Sequence, residues 1–337
     1  MSRAFTLLFH LHHESEAERS SRRAYAEVLD LVRQADGLPF ERAWFAEHHL
    51  RDTRGRIPAP LLFCVAAARE TRRIGVGPCV VLLPLHHPLD VAEQAATAGL
   101  LCEGRLAIGV GSGGNPEEFA AYGVSLEERR ERYAEALEAF SGLWRGPAYR
   151  HEGTYYRFPS VSLVPPPATP LHEVLWAAAS STQSAALAGR SGGNLLLARG
   201  VPEADLREQI DAYRAARGEA GHGGDASIQV TRGVYVAETE AAAWRDAEEG
   251  IRRHYRQLAR YGGEEVDLRE MARRGDFIVG TPEQCAEQIA GLFARVPITH
   301  LACDIALIGA PFEMISRSLH VLGREVIQRV GGPGLPL

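Results

Sequence analysis

The segment richest in chemically active side chains is Glu47-His48-His49, which directly follows the apolar run of residues 43–46. A carboxylate beside an imidazole can fix the imidazole's tautomer or raise its basicity, as general acid–base catalysis requires. Glu47 is equally suited to a buried ion pair with one of the many arginines, and the sequence leaves both readings open. We take His48 as the candidate proton-handling residue and Glu47 as its partner. His49 receives no role.

Polar side chains able to titrate, or to hold an anion, also follow the other apolar runs of the chain. They are His10, His86, His87, Ser180, Ser181, Thr182, Arg199, Arg232 and Asp304. Ser180, Ser181 and Thr182 stand between a strand and a helix, where small hydroxyls favour the binding of a phosphate. Helix capping alone would explain one of these three residues. If the runs are parallel strands, all of these side chains face one common mouth.

The glycine-rich segment of residues 109–114, GVGSGG, also ends an apolar run. It has the spacing of a dinucleotide-binding fingerprint, but it stands after the fourth strand of a series and we expect no helix of the fingerprint type directly behind it. Its glycines would let the backbone pass close to a flat ligand or a phosphate. A plain tight loop is the alternative.

The elements that must position these groups alternate regularly between strand and helix. The predicted strands cover residues 5–10, 42–47, 73–83, 105–110, 174–178, 194–198, 228–236 and 299–308. The predicted helices cover residues 20–35, 61–69, 90–101, 127–144, 184–190, 203–217, 240–261, 282–294 and 312–330. Eight such units predict a single TIM-like (β/α)8 barrel over residues 1–337, with an open parallel sheet as the alternative.

Two segments interrupt this alternation. Residues 146–172 hold two adjacent tyrosines and three consecutive prolines, and we interpret them as an insertion that includes a small hairpin. Residues 262–276 are polar and contain glycine, and we interpret them as a mobile loop or lid.

Composition excludes several classes of function. The 337 residues carry a net charge of -6 without a basic block, which argues against nucleic acid or a membrane surface as a partner. All 37 basic residues are arginine, so chemistry that depends on lysine is absent. The five cysteines stand far apart, without a signal peptide or an apolar span, and this predicts reduced thiols in a cytoplasmic protein.

Several segments together resemble the bacterial luciferase-like flavin-dependent monooxygenases. The more specific ones are AWFAEHH, LLPLHHPLDVAEQAA and GRLAIGVGSGGNPEEFAAYGV. The resemblance continues through ERYAEALEAF, WAAASSTQSAALAGRSG, TRGVYVAETEAAA and FIVGTPEQCAEQI, and so covers nearly the whole chain.

The resemblance implies a barrel that binds reduced FMN at its mouth and activates oxygen as a flavin hydroperoxide to oxidise a small organic substrate. It also implies a separate flavin reductase and a homodimer formed through the helices at residues 61–69 and 90–101. His48 matches the family's catalytic histidine, with Glu47 beside it. Cys79-Val80 matches the position of a non-proline cis peptide against the flavin ring.

Ser180, Ser181 and Tyr133 match the family's phosphate-binding positions. The sequence departs from bacterial luciferase at Gly111-Ser112, where that enzyme has Cys-Arg. This departure argues against light emission and makes Arg199 and Arg232 the candidates for neutralising ligand charge.

Three alternatives remain open. A deazaflavin-dependent oxidoreductase would use the same barrel for hydride transfer, and a flavin-binding protein would hold the cofactor without turnover. The third is a metal-dependent hydrolase that uses His10, His12 and Asp304, since two histidines at i and i+2 of a strand share one side. The missing lysines and the non-histidine ends of the fifth and sixth strands argue against it, so we expect no metal.

Overall fold

The computed structural model describes residues 3–11, 21–50, 57–259 and 276–332. The predicted lid therefore lies outside the described residues, apart from Asp276, and so does His12.

The strands are short and mostly buried. They are β1 (Ala4–Phe9), β2 (Arg42–Phe45), β3 (Gly75–Pro78), β4 (Val81–Leu82), β5 (Ile108–Gly111), β6 (Tyr149–Glu152), β7 (Arg157–Val161), β8 (Leu175–Ala179), β9 (Asn194–Leu197), β10 (Ile228–Val236), β11 (Phe277–Gly280) and β12 (His300–Asp304). Apart from the β6–β7 hairpin, every strand pairing among the described residues is parallel.

The helices are α1 (Ser21–Asp36), α2 (Pro60–Glu70), α3 (Pro88–Leu101), α4 (Pro116–Ala121), α5 (Arg129–Arg145), α6 (Leu171–Val174), α7 (Thr182–Ser191), α8 (Glu203–Glu219), α9 (Glu240–Ala259), α10 (Pro282–Arg295) and α11 (Phe312–Val321). Helix α11 continues through a π-helical turn, Leu322–Val326, into a last turn, Ile327–Arg329. A search of the described residues found no helix long and apolar enough to cross a membrane.

The main sheet runs in the order β3-β2-β1-β12-β10-β9-β8-β5-β4. Its two ends, β3 and β4, are consecutive pieces of one predicted strand that is interrupted at Cys79 and Val80. The ends of the order therefore meet, and the sheet nearly closes into the predicted barrel. β11, which pairs with the second half of β10, was not predicted.

Apolar side chains fill the inside of the barrel. They are Leu8, Trp44, Ala46, Ala107, Trp176 and Leu196, all buried. At the centre, Gln229 Oε1 accepts hydrogen bonds from Thr6 Oγ1 at 2.9 Å and from Trp44 Nε1 at 3.1 Å. Each such bond contributes about 1 kcal/mol net, and together they hold the Trp44 ring in place below the mouth.

The insertion contains the β6–β7 hairpin, as predicted. Glu135 on α5 holds the turn of this hairpin, because its carboxylate accepts backbone N–H groups of Thr154, Tyr155 and Tyr156 at 2.7 to 3.1 Å. A six-residue helix, α4, follows the glycine-rich loop after Asn115; it was not among the predicted helices. The start signal for α4 is Asn115, whose side chain caps the helix, followed by Pro116.

Candidate functional site

The ends of β1, β2 and β3 bring the predicted strand-end residues together at one edge of the sheet. Backbone hydrogen bonds extend past the strands, from Ala46 N to Phe9 O at 3.0 Å and from Cys79 N to Phe45 O at 2.8 Å. His10 and the Glu47-His48-His49 segment therefore leave neighbouring strands at the same level.

Glu47 lies in a closed hydrogen-bonded group with His49 and His86, which we call the glutamate cluster. Glu47 Oε1 is 2.7 Å from His49 Nε2 and 2.7 Å from His86 Nε2. The second oxygen, Oε2, accepts the backbone N–H of Leu82 at 3.2 Å. The predicted pairing of Glu47 with His48 is therefore wrong. Within the Glu47-His48-His49 segment, the hydrogen-bond partner of Glu47 is His49, to which we gave no role.

Hydrogen bonding sets the charge state of this cluster. Burial by itself would raise the pKa of Glu47, but the hydrogen bonds from His49 and His86 outweigh it and hold the pKa below its usual value. Burial would lower the pKa of His86, and the hydrogen bond and charge of Glu47 raise it instead. Glu47 is thus a buried, ionised acceptor.

His48 points to the other side, where it forms a histidine pair with His10. The two rings lie 5.6 Å apart between centroids, and His48 Nε2 is 3.4 Å from His10 Nδ1. On its other nitrogen, His48 Nδ1 lies 3.8 Å from Glu118 Oε1. The segment is extended, so alternate side chains point in opposite directions, and Glu47 and His49 share one face while His48 takes the other.

His10 is surrounded by charged groups. Burial lowers its pKa well below the usual value, and the charges of His48, Arg199 and His254 lower it further. Asp304 Oδ2 lies 3.7 Å from His10 Nε2 but is paired with Arg199. His10 is therefore neutral near pH 7, and its Nδ1 can accept a hydrogen bond from His48.

The floor of the mouth is apolar. Cys79, Val80 and Ala178 are half-buried and lie on top of the barrel interior. The Cys79–Val80 peptide bond is cis, as predicted. A Cβ on Gly111 would lie 2.6 Å from Val80 Cγ2, so glycine is required for β5 to approach the floor this closely.

Beside the floor is a cavity of about 140 Å³, which we call the serine pocket. Its lining includes four predicted cofactor residues, namely Ser112, Tyr133, Ser180 and Ser181. Sequence reasoning missed four further polar residues that line it, namely Arg130, Gln183, Ser184 and Arg190. Gly111 and Ala178 of the floor precede Ser112 and Ser180 by one and two residues, so floor and pocket adjoin.

Helix α7 begins at the serine pocket. Ser181 caps it, because Ser181 Oγ accepts the backbone N–H of Ser184 at 3.2 Å. Ser184 Oγ in turn accepts the backbone N–H groups of Ser180 and Ser181 at 3.1 and 3.0 Å. Capping thus explains the Ser181 hydroxyl, while the positive end of the helix dipole still favours an anion there.

The arginines at the pocket are not those we expected. Arg199 pairs with Asp304, and Arg232 is buried and donates to the carbonyl of Thr231 at 2.9 Å. Arg130 and Arg190 line the pocket instead. The spacing of Arg130 three residues before Tyr133 places both on one helix face and could have identified the first of them.

Comparison with known proteins agrees with this architecture. A family profile described as luciferase-like monooxygenase matches residues 4–300. The chain is 30% identical over 329 residues to 4-hydroxyprotoasukamycin monooxygenase of Streptomyces nodosus subsp. asukaensis, covering 90% of this chain and 86% of that protein. It is 33% identical over 199 residues to F420-dependent glucose-6-phosphate dehydrogenase of Beutenbergia cavernae, covering 57% of each.

The chain spans 61% of an uncharacterized Sinorhizobium fredii protein, y4wF, to which it is 33% identical over 215 residues, or 64% of this chain. Among solved structures, monooxygenase RslO1 from Streptomyces bottropensis superposes with a TM-score of 0.89 at 27% identity, covering 96% of this chain and 99% of that one. The oxygenating component of 3,6-diketocamphane monooxygenase of Pseudomonas putida, in complex with FMN, has a TM-score of 0.82 at 22% identity, covering 99% and 100%. The chain belongs to the luciferase-like monooxygenase family, a family of oxidoreductases.

Proposed function

We propose that the protein is a monooxygenase that uses reduced FMN and oxygen to oxidise a small organic substrate. The observation that carries this proposal is the serine pocket, which places two arginines and a helix N-terminus beside an apolar floor. The arginines of the pocket suit the phosphate of FMN, and the apolar floor suits its flavin ring.

The pocket residues would hold the phosphate. Arg130 and Arg190 supply positive charge, the start of α7 adds its dipole, and Ser180 offers a hydroxyl. The FMN ring would then extend over Cys79 and Val80, towards the histidine pair.

When bound, reduced FMN supplies the two electrons that activate oxygen for insertion of one atom into the substrate. The chain's own contribution is binding, exclusion of water and proton control. His48 Nε2 is the atom that would exchange a proton at the mouth, because His10 Nδ1 lies 3.4 Å away as the other end of a relay. The apolar floor keeps water away from the reacting face.

We also propose two protein partners for this monooxygenase. A separate flavin reductase would supply the reduced cofactor, and a second copy of the chain would pack on α2 and α3. Three large apolar side chains on these two helices are exposed, Leu62 at 74%, Leu100 at 51% and Leu101 at 49%. Large exposed apolar side chains on these two helices support a protein interface there.

The test of the cofactor is a comparison of affinities. We expect reduced FMN to bind more tightly than riboflavin or F420, as measured by fluorescence or calorimetry without oxygen. A charge-assisted hydrogen bond contributes about 1.5 to 3 kcal/mol. Replacing Arg130 or Arg190 with alanine should therefore weaken FMN binding on the order of 10- to 100-fold while leaving riboflavin binding unchanged.

Arg214→Ala is the matched control, since it removes an exposed arginine on α8 that does not line the pocket. Equal binding of riboflavin and FMN by the unaltered protein would contradict the phosphate assignment. A preference for F420 would replace the proposal with deazaflavin-dependent hydride transfer.

A further inference from the structure

The glutamate cluster holds more coordinating groups than a proton-handling site requires. Glu47, His49 and His86 each direct a ligand atom to one point, and these atoms all lie within 4.8 Å of one another. Two imidazole nitrogens and one carboxylate oxygen form a ligand set that zinc accepts, with a fourth position open to water.

The spacing is slightly smaller than a bound ion needs. Both histidine Nε2 atoms lie 2.7 Å from Glu47 Oε1, whereas ligands of a tetrahedral zinc site with bonds of about 2.0 Å stand about 3.3 Å apart. His86 is about a quarter exposed, at 26% of its side chain, so it can move outward by this distance. The same exposure gives an ion and a water molecule a path to the site.

Contacts behind the ligands already hold them in the orientation that coordination requires. Tyr122 Oη lies 2.9 Å from His49 Nδ1 and directs the other ring nitrogen, Nε2, to the cluster. Leu82 N holds Glu47 Oε2 at 3.2 Å, and Glu118 holds the backbone N–H of His49 at 3.0 Å. Outer contacts of this type orient the ligands of protein metal sites.

We propose that Glu47, His49 and His86 bind a divalent transition metal ion, zinc in the first place, in a site next to the flavin mouth. A neutral His49 needs only a change of tautomer to bind the ion. Its Nε2 proton is given up and Nδ1 becomes protonated, so that Nδ1 donates to Tyr122 Oη instead of accepting from it. A tyrosine hydroxyl can serve both states, since it both donates and accepts.

The inference goes beyond the proposed function and does not rest on it. His48, the proposed proton-handling residue, points to the opposite side and is not a ligand of this set. Metal binding is measured without flavin, oxygen or turnover. If one of the two proposals fails its test, the other is therefore unaffected.

The experiment uses the full chain freed of metal with a chelator and then titrated with Co²⁺ and Zn²⁺. We expect one ion per chain by elemental analysis, a visible Co²⁺ absorption typical of four-coordinate geometry, and a rise in melting temperature with zinc. His86→Ala removes the most exposed ligand and should abolish the absorption. Tyr122→Phe keeps all three ligands and should weaken binding about 10- to 100-fold.

Two controls separate this site from other histidines. His87→Ala removes an exposed neighbour that caps α3, and His10→Ala removes one member of the histidine pair; both variants should bind one ion as before. Glu47→Gln provides a second test within the cluster if another variant folds poorly. The proposal is overturned if the unaltered protein retains no ion, or if His86→Ala binds as well as His87→Ala.

Discussion

The glutamate cluster and the histidine pair arise from the same short segment and differ in nearly every property. In the cluster, Glu47 and His49 are 2% and 4% exposed and are joined at 2.7 Å. In the pair, His48 is half-buried, and its polar neighbours His10 and Glu118 lie at 3.4 and 3.8 Å. One side is closed by short hydrogen bonds, and the other leaves its imidazole within reach of a ligand.

This difference shows that neighbours in sequence need not share a task. In an extended segment, residues i and i+2 face the same way and residue i+1 faces the opposite way. Glu47 therefore supports the mouth through His49 and His86, while His48 belongs to the surface that ends β1 and β2.

The largest effect should come from His48→Ala. Loss of a general acid–base group lowers turnover by about 10²- to 10⁴-fold. We expect flavin affinity and the free energy of unfolding to change little, because, among the described residues, the His48 ring lies 3.4 Å from His10 and 3.8 Å from Glu118, and neither of these lines the serine pocket. The measurement is product formation per bound FMN, with flavin binding followed in the same preparation.

Unchanged turnover in His48→Ala would refute the assignment of the proton to this residue. His87→Ala is the control. His87 also follows the third predicted strand, but its ring packs against Tyr156 and not against the histidine pair.

A smaller effect, on stability instead of turnover, should come from Glu47→Ala. The change leaves His49 Nε2 buried without its partner, which costs about 1 to 3 kcal/mol. The free energy of unfolding, measured in urea with a chelator present, should fall by this amount in Glu47→Ala. The loss in His48→Ala should be smaller. Equal losses in both variants would mean that the two sides of the segment do not differ as the structure indicates.

Much of the fold followed from apolar periodicity. The eight predicted strands are present, because a parallel strand that is covered on both faces is often a continuous apolar run, as in β8 (Leu175–Ala179). β11, residues 277–280, is just as buried but was assigned to no element, and only the helix that follows it was predicted. A four-residue run gives too little length to distinguish a strand from a loop.

Strand-end positions predicted that Ser180 and Ser112 lie at the candidate site, and the family resemblance predicted the cis bond at Cys79–Val80. The site was not predictable where two distant elements meet. Glu118 and Tyr122 reach His48 and His49 from the short helix α4 and the residue that follows it, and nothing in local spacing links residues about 70 apart.

The central claim is oxygen transfer from O₂ with reduced FMN, and isotope labelling tests it most directly. The protein, reduced FMN and ¹⁸O₂ are incubated with a panel of small ketones, alkenes and phenols, and the products are read by mass spectrometry. The account predicts a product that gains one ¹⁸O atom and requires FMN. A product without ¹⁸O, or oxidation that proceeds without oxygen when F420 replaces FMN, would contradict it.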